Sequence, residues 1–363
     1  MAGQPFGYGQ QTRDAANPSL PEKTAGETDQ QQFERWLMDL TDKGLFNGAV
    51  VIARSGQPIL KGAYGFTHAS DRQRLTTSSS FRLASVSKAF TAMAAMILKE
   101  EGKLEFDDPV AKFFPEAKAK QVTVRHLLNH VAGFSDYMAE IPRGSFTTDS
   151  PLTTQQVATH FVSKEKATKW APGSRYEYSN TGYVILAAVI EKASGDSFED
   201  FCQKKIFDRL GMKNSRVWNL VSKDKTFATK VVSTSNGRKL NPTWLDGVAG
   251  DGAVFCSIDD YLIWDQALRD RTLISESTWR EALTPPKLPD DNETIYGFGW
   301  MINGSVMSHG GSWLGARTYV VRNDEPGELI AVFDSSSNQQ TMDAIFEQAI
   351  QLMRAEAALP DAE

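Results

Sequence analysis

The chain has 363 residues, 41% of them hydrophobic and 23% charged, so it has the length for a sizeable core and the composition of an ordinary globular protein. A formal net charge of −6 leaves no basic footprint for nucleic acid or an anionic membrane, and no run reaches the roughly 18 consecutive apolar residues of a membrane span. Two cysteines, Cys202 and Cys256, are too few for a disulfide framework or a thiolate zinc site and read as buried thiols.

Residues 1–29 carry few large apolar side chains and read as a flexible N-terminal tail. No cleavable signal is visible, which leaves compartment open between an exported protein whose signal was removed and a cytoplasmic one. The first helix spans about 31–43, with Phe33, Trp36, Leu37 and Leu40 on one stripe and Gly44 past its end. Strand-like runs at 48–54 and 58–65 flank a Ser55-Gly56-Gln57 turn and read as a hairpin. A very apolar helix begins near Ser85 and runs to about Glu101. Thr153 and Gln156 form a capping box, and further helices are read at 183–192, after Ser197, and from Ser257 through Leu268. Beyond Pro286 the pattern returns to strands at 296–302, 305–309, 316–322 and 328–334, with Asn303-Gly304 as a hairpin signal, before a closing helix at 342–358.

Strands at both ends around a helical middle predict an α/β (α+β) fold. One antiparallel sheet is built from both chain ends and flanked by helices, with an inserted all-helical subdomain. The domain is expected over residues 30–358, with a sheet region at about 30–84 and 286–358 and a helical region at about 85–285.

Three short stretches carry chemistry. In Ser85-Val86-Ser87-Lys88, a hydroxyl and an amine three residues apart share one side of a helix start, where unpaired N–H groups favour negative charge. That is the recipe for an activated nucleophile. Tyr178-Ser179-Asn180 follows a turn and precedes a helix; beside an ammonium the Tyr178 phenol is expected to have a lowered pKa, and Asn180 offers an amide to substrate or to Lys88. His309-Gly310-Gly311-Ser312 ends a strand, and its glycines admit close backbone approach.

In order and spacing these motifs resemble the serine β-lactamase and penicillin-binding-protein superfamily, specifically its class C β-lactamase-like branch of D-alanyl-D-alanine carboxypeptidases, D-amino-acid peptidases and family VIII carboxylesterases. The likeness covers about 31–355 and includes Phe81-Arg82-Leu83-Ala84, His126-Leu127-Leu128-Asn129-His130-Val131-Ala132-Gly133, Ala171-Pro172-Gly173-Ser174, Gly250-Asp251-Gly252-Ala253 and Tyr296-Gly297-Phe298-Gly299-Trp300. It implies a class C β-lactamase-like fold and a Ser85 acyl-enzyme. Lys88 and Tyr178 share the proton work, with the primary base left open between them. Asn180 holds the acyl side, and the backbone N–H groups of Ser85 and Ser312 form the oxyanion hole, worth about 3 kcal/mol per donor.

Two departures narrow this reading. His309 stands where β-lactamases carry a lysine, and as a neutral imidazole it is expected to offer substrate one weaker donor, with Arg317 as a candidate replacement for the charge. Ala84 replaces the glycine common before the nucleophile and reads as tolerable packing variation. Trp313, directly after the oxyanion strand, is a further binding candidate. His126 and His130 have the spacing of helical zinc ligands but lack a glutamate base and a third ligand, so no metal and no cofactor is expected. The implied substrate is a small-molecule ester, an amide or a short peptide, and the implied activity that of a carboxylesterase or D-amino-acid-type peptidase or amidase. Alternatives are a weak β-lactamase or D-Ala-D-Ala carboxypeptidase, and a non-catalytic peptide-binding scaffold. Oligomeric state is not readable.

Overall fold

The computed structural model describes residues 18–67, 73–164, 166–223, 227, 230–235, 238–289 and 294–357. Its frame is a six-stranded antiparallel sheet in the order Gln57–Tyr64, Gly48–Arg54, Glu328–Asp334, Ala316–Asn323, Val306–Trp313, Met301–Asn303. The N-terminal hairpin pairs with the last strand, Ala49 opposite Phe333 and Val51 opposite Ala331, so the two chain ends meet in the middle of the sheet as expected.

The two-residue period of the strands sorts their side chains between two apolar layers. Val50, Ile52, Ile330 and Val332 face the terminal helices Asp29–Asp42 and Gln339–Ala357. Ala49, Val51, Ala53, Leu329, Ala331 and Phe333 face a larger core shared with the middle of the chain. At its centre lie the helices Lys88–Glu100 and Asn180–Ser194, both buried almost all round. One continuous core therefore joins the sheet region to the helical region.

The structure departs from the sequence reading in four places. The middle region is not all-helical: Ser80–Arg82, Val254–Ser257 and Arg216–Val217 form a three-stranded sheet, and Thr234–Ser235 pairs with Arg238–Lys239. These strands are two to four residues long, too short to show a period, yet the first of them leads directly into the Ser85 turn. Residues 18–28, expected within a flexible tail, run along the first helix, because Gln32 donates to the Pro21 carbonyl at 2.7 Å and Arg35 reaches the Glu22 carbonyl and the Glu27 carboxylate. The rest of the expected tail, residues 1–17, lies outside the described residues.

The third departure is at residues 296–300, where Tyr296 makes only a bridge to Met301 and the chain bends between them, so the strand begins at Met301. Gly299, at φ +80°, packs so closely on the helix Lys88–Glu100 that a Cβ there would stand 2.7 Å from the Ala89 Cα. Finally, the strand expected to stop at His309 continues to Trp313, so both glycines of the third motif lie inside it.

Candidate active site

Ser85 sits in a 3₁₀ turn, Ala84–Ser87, that feeds the α-helix Lys88–Glu100, so the helix proper begins three residues later than the sequence suggests. The tighter winding suits the chemistry, since a 3₁₀ turn eclipses positions i and i+3 and brings Lys88 over Ser85. The turn is anchored to the neighbouring strand, where Leu83 N–H donates to the Val254 carbonyl at 2.9 Å and Ser87 Oγ accepts from Val254 N–H at 3.0 Å. Ala84 has φ +47°, in the left-handed region that disfavours a Cβ. The missing glycine is thus a point of backbone strain and not a neutral packing change.

Lys88 is fully buried and its Nζ donates three hydrogen bonds: to Ser85 Oγ at 3.2 Å, Asn180 Oδ1 at 2.8 Å and the Asp251 carbonyl at 2.9 Å. Burial brings its pKa down to about 8, opposed by the Asp251 and Asp136 carboxylates. Ser85 itself keeps partial access to solvent. Asn180 is the first residue of its helix, capped by Ser179, whose Oγ accepts from Gly182 N–H. Asp251 escaped the sequence reading as a site residue. Its signal was the flanking glycines: at Gly250, φ +104°, a Cβ would stand 2.4 Å from the Tyr183 carbonyl, so the loop can dip between the two central helices. Tyr137 donates to the Asp251 carboxylate at 3.1 Å.

Tyr178 comes to the same point. Its phenol faces the Ser85 hydroxyl, which favours the ionised form, and Lys88 Nζ lies 4.9 Å from its ring centroid. The expected fall in its pKa is reversed. Desolvation pushes the phenol well above its ordinary value, because Lys88 sends its protons to three other acceptors and not to the phenol oxygen.

The third motif forms the wall opposite. An ideal Cβ on Gly311 would be 3.0 Å from Ser85 N, so the strand lies against the Ser85 turn. His309 does not face substrate as a donor. It is 1% exposed, its Nδ1 pairs with the Gly310 carbonyl at 2.7 Å, and its Nε2 pairs with Tyr296 OH at 2.9 Å. A carbonyl only accepts, so Nδ1 carries the proton and Nε2 takes the Tyr296 hydroxyl proton. Burial and the nearby Lys88 charge lower its pKa to about 3 and keep the ring neutral.

Ser312 is exposed and its hydroxyl accepts from Arg317 on the neighbouring strand. Trp313 is fixed from behind, its indole N–H donating to Asp246 Oδ1 at 2.7 Å, while Asp246 also pairs with Arg82. The two candidate zinc histidines have other work: His126 Nδ1 accepts from Thr123 N–H at a helix cap, and His130 Nδ1 accepts from Ser179 N–H.

Comparison with known proteins matches residues 31–353 to the Beta-lactamase family model. The chain belongs to the Beta-lactamase family. It is 32% identical over 329 residues to penicillin-binding protein 4* of Bacillus subtilis (strain 168), covering 86% of this chain and 72% of that protein. It is 28% identical over 333 residues to the D-aminopeptidase of Brucella suis biovar 1 (strain 1330), covering 87% of this chain but 60% of that protein's length. The structure of the octameric penicillin-binding protein homologue from Pyrococcus abyssi superposes with a TM-score of 0.71 at 28% identity, over 88% of this chain and 77% of that one. The D-amino acid amidase of Ochrobactrum anthropi SV3 shares the fold at a TM-score of 0.73 and 21% identity, over 91% of this chain and all of that one. This member of the Beta-lactamase family is a serine hydrolase with the family's mixed fold. No helix among the described residues is long and apolar enough to cross a membrane.

Proposed function

We propose that this hydrolase cleaves an ester or amide through a Ser85 acyl-enzyme, as a carboxylesterase or a D-amino-acid-type peptidase or amidase. The observation that carries the reading is the fully buried Lys88 ammonium, 3.2 Å from Ser85 Oγ and with its pKa brought down to about 8. Near neutral pH a usable fraction of that amine is unprotonated and can take the Ser85 proton as Oγ attacks the substrate carbonyl carbon. Tyr178, with its pKa pushed upward, is better suited to pass a proton to the departing alcohol or amine than to act as a phenolate base. The backbone N–H groups of Ser85 and Ser312 receive the oxyanion. Water then releases the acid and frees Ser85 again. The D-aminopeptidase and D-amino acid amidase names among the relatives support the amide side of this choice.

His309 supports esters and simple amides over β-lactams, since its one N–H is spent on Gly310 and it brings no cation to the site. The Arg317 guanidinium, bonded to the Ser312 hydroxyl, favours a second reading in which the substrate carries a carboxylate near the scissile bond. Substrates here are small molecules or short peptides. The test is labelling by a fluorophosphonate together with turnover of short-chain p-nitrophenyl esters and D-amino-acid p-nitroanilides. Ser85→Ala is expected to abolish all three signals. A folded wild type that forms no Ser85 adduct would favour a non-catalytic peptide-binding protein.

A further inference from the structure

Tyr178 is gripped on both sides by one residue. The His130 carbonyl accepts from Glu177 N–H at 3.0 Å, and its Nδ1 accepts from Ser179 N–H at 3.0 Å. The ring lies against that of Tyr178, with centroids 4.3 Å apart and planes at 38°. Main chain, side chain and ring face of His130 thus fix three consecutive residues whose middle member meets Ser85.

The arrangement is costly, which argues that it serves a purpose. His130 has φ +58°, uncommon for a residue with a Cβ. Ser179 N–H can only donate, so Nδ1 is bare and the ring proton sits on Nε2. That Nε2 is buried with no hydrogen-bond acceptor, among the rings of Tyr176, Tyr183 and Tyr296. The Ser179 bond is the side chain's one polar contact.

We propose that His130 is a positioning residue, which sets the Tyr178 phenol against Ser85 by accepting the Ser179 N–H through Nδ1. The proposal rests on the acyl-enzyme reading above. The surroundings keep Nδ1 an acceptor. Burial and the Lys88 ammonium disfavour a charged ring, and the other titratable groups around it are the neutral His309 and the tyrosines at 176, 178, 183 and 296.

Two substitutions separate the hydrogen bond from the ring. His130→Asn keeps an acceptor near the Nδ1 position and tolerates positive φ; His130→Phe keeps the ring and removes the acceptor. The readouts are kcat and KM on an alkyl ester, whose alkoxide leaving group needs the Tyr178 proton, and the hydrogen-exchange protection of the Ser179 amide. In the Asn variant, protection is expected to persist and kcat to stay within about fivefold of wild type. In the Phe variant, protection is expected to vanish and kcat to fall by about 30-fold or more with KM little changed. If His130→Phe does not fold, His130→Gln replaces it, since its amide reaches the Nε2 position instead, and the same loss is expected. Equal effects of the two substitutions, or wild-type kcat without the acceptor, overturn the proposal. Failure of wild-type Ser85 to label would strike the acyl-enzyme reading alone, because Ser179 exchange still tests the clamp.

Discussion

Gly311 and Leu83 meet backbone to backbone: a Cβ on Gly311 would stand 2.4 Å from the Leu83 carbonyl oxygen, which already accepts from Thr318 Oγ1 at 2.7 Å. The same Cβ would be 2.4 Å from Thr318 Oγ1 itself. Neither atom is the free end of a flexible chain, so Gly311→Ala must push the strand Val306–Trp313 off the Ser85 turn. Ester turnover is expected to fall by about 100-fold, the scale of an ångström-sized misplacement. Gly310→Ala, whose Cβ would come no closer than 3.2 Å to the Tyr319 ring and 3.9 Å to the Thr318 carbonyl, is expected to be much milder. Equal losses in the two variants would show that the contact does not govern the site.

The pH–rate profile should report Lys88. With its pKa at about 8 and the free amine as base, kcat/KM is expected to rise with pH and level off above that value. The Asp251 carboxylate favours the ammonium form, so Asp251→Asn removes a stabilising negative charge and lowers the Lys88 pKa further. The acid limb should then move to lower pH. A limb that stays put in the variant rules out Asp251 as the neighbour that tunes the amine.

Ala84→Gly should stabilise the fold. At φ +47° a Cβ is strained, and replacing such a residue with glycine is expected to return about 1 kcal/mol despite the looser unfolded chain. Chemical denaturation midpoints of the two proteins give the answer, and a less stable glycine variant would refute the strain argument.

His309→Lys restores the residue that opens the third motif in β-lactamases, yet no gain of β-lactam hydrolysis is expected. The position is 1% exposed, and a second buried ammonium beside Lys88 should cost several kcal/mol. Thermal melting and nitrocefin turnover test both halves; efficient nitrocefin hydrolysis by a stable variant would contradict them.

Arg317→Gln should act on substrate choice. Turnover of an ester bearing a carboxylate is expected to drop about tenfold or more, in line with the loss of a charged hydrogen bond, while a neutral ester is turned over as before. Parallel losses on both esters would make Arg317 a prop for Ser312 and nothing more.

Much of the architecture could be read from periodicity and capping. Thr153 with Gln156 and Gly44 past the first helix both do what their residue types suggest. The motif residues Ser85, Lys88, Tyr178 and Asn180 also converge. What the sequence could not carry was desolvation. The direction of the Tyr178 shift and the inward turn of His309 depend on burial and on which acceptor a proton reaches in three dimensions. The Asp251 contact is a main-chain one, invisible to any reading of side-chain types. His130 was singled out for its spacing from His126, while its partner is 49 residues away.

The three acceptors around Lys88 come from three separate stretches of chain: the 3₁₀ turn, the head of the second central helix and the glycine-flanked loop at Asp251. Until all three have docked, the amine is wet and its pKa returns toward the ordinary lysine value, which on the proposed mechanism leaves Ser85 without its base. A half-folded copy of this enzyme is therefore expected to be chemically silent. Hydrolytic activity regained during refolding should date the arrival of the last of those segments, which makes the reaction itself a clock for the final step of assembly.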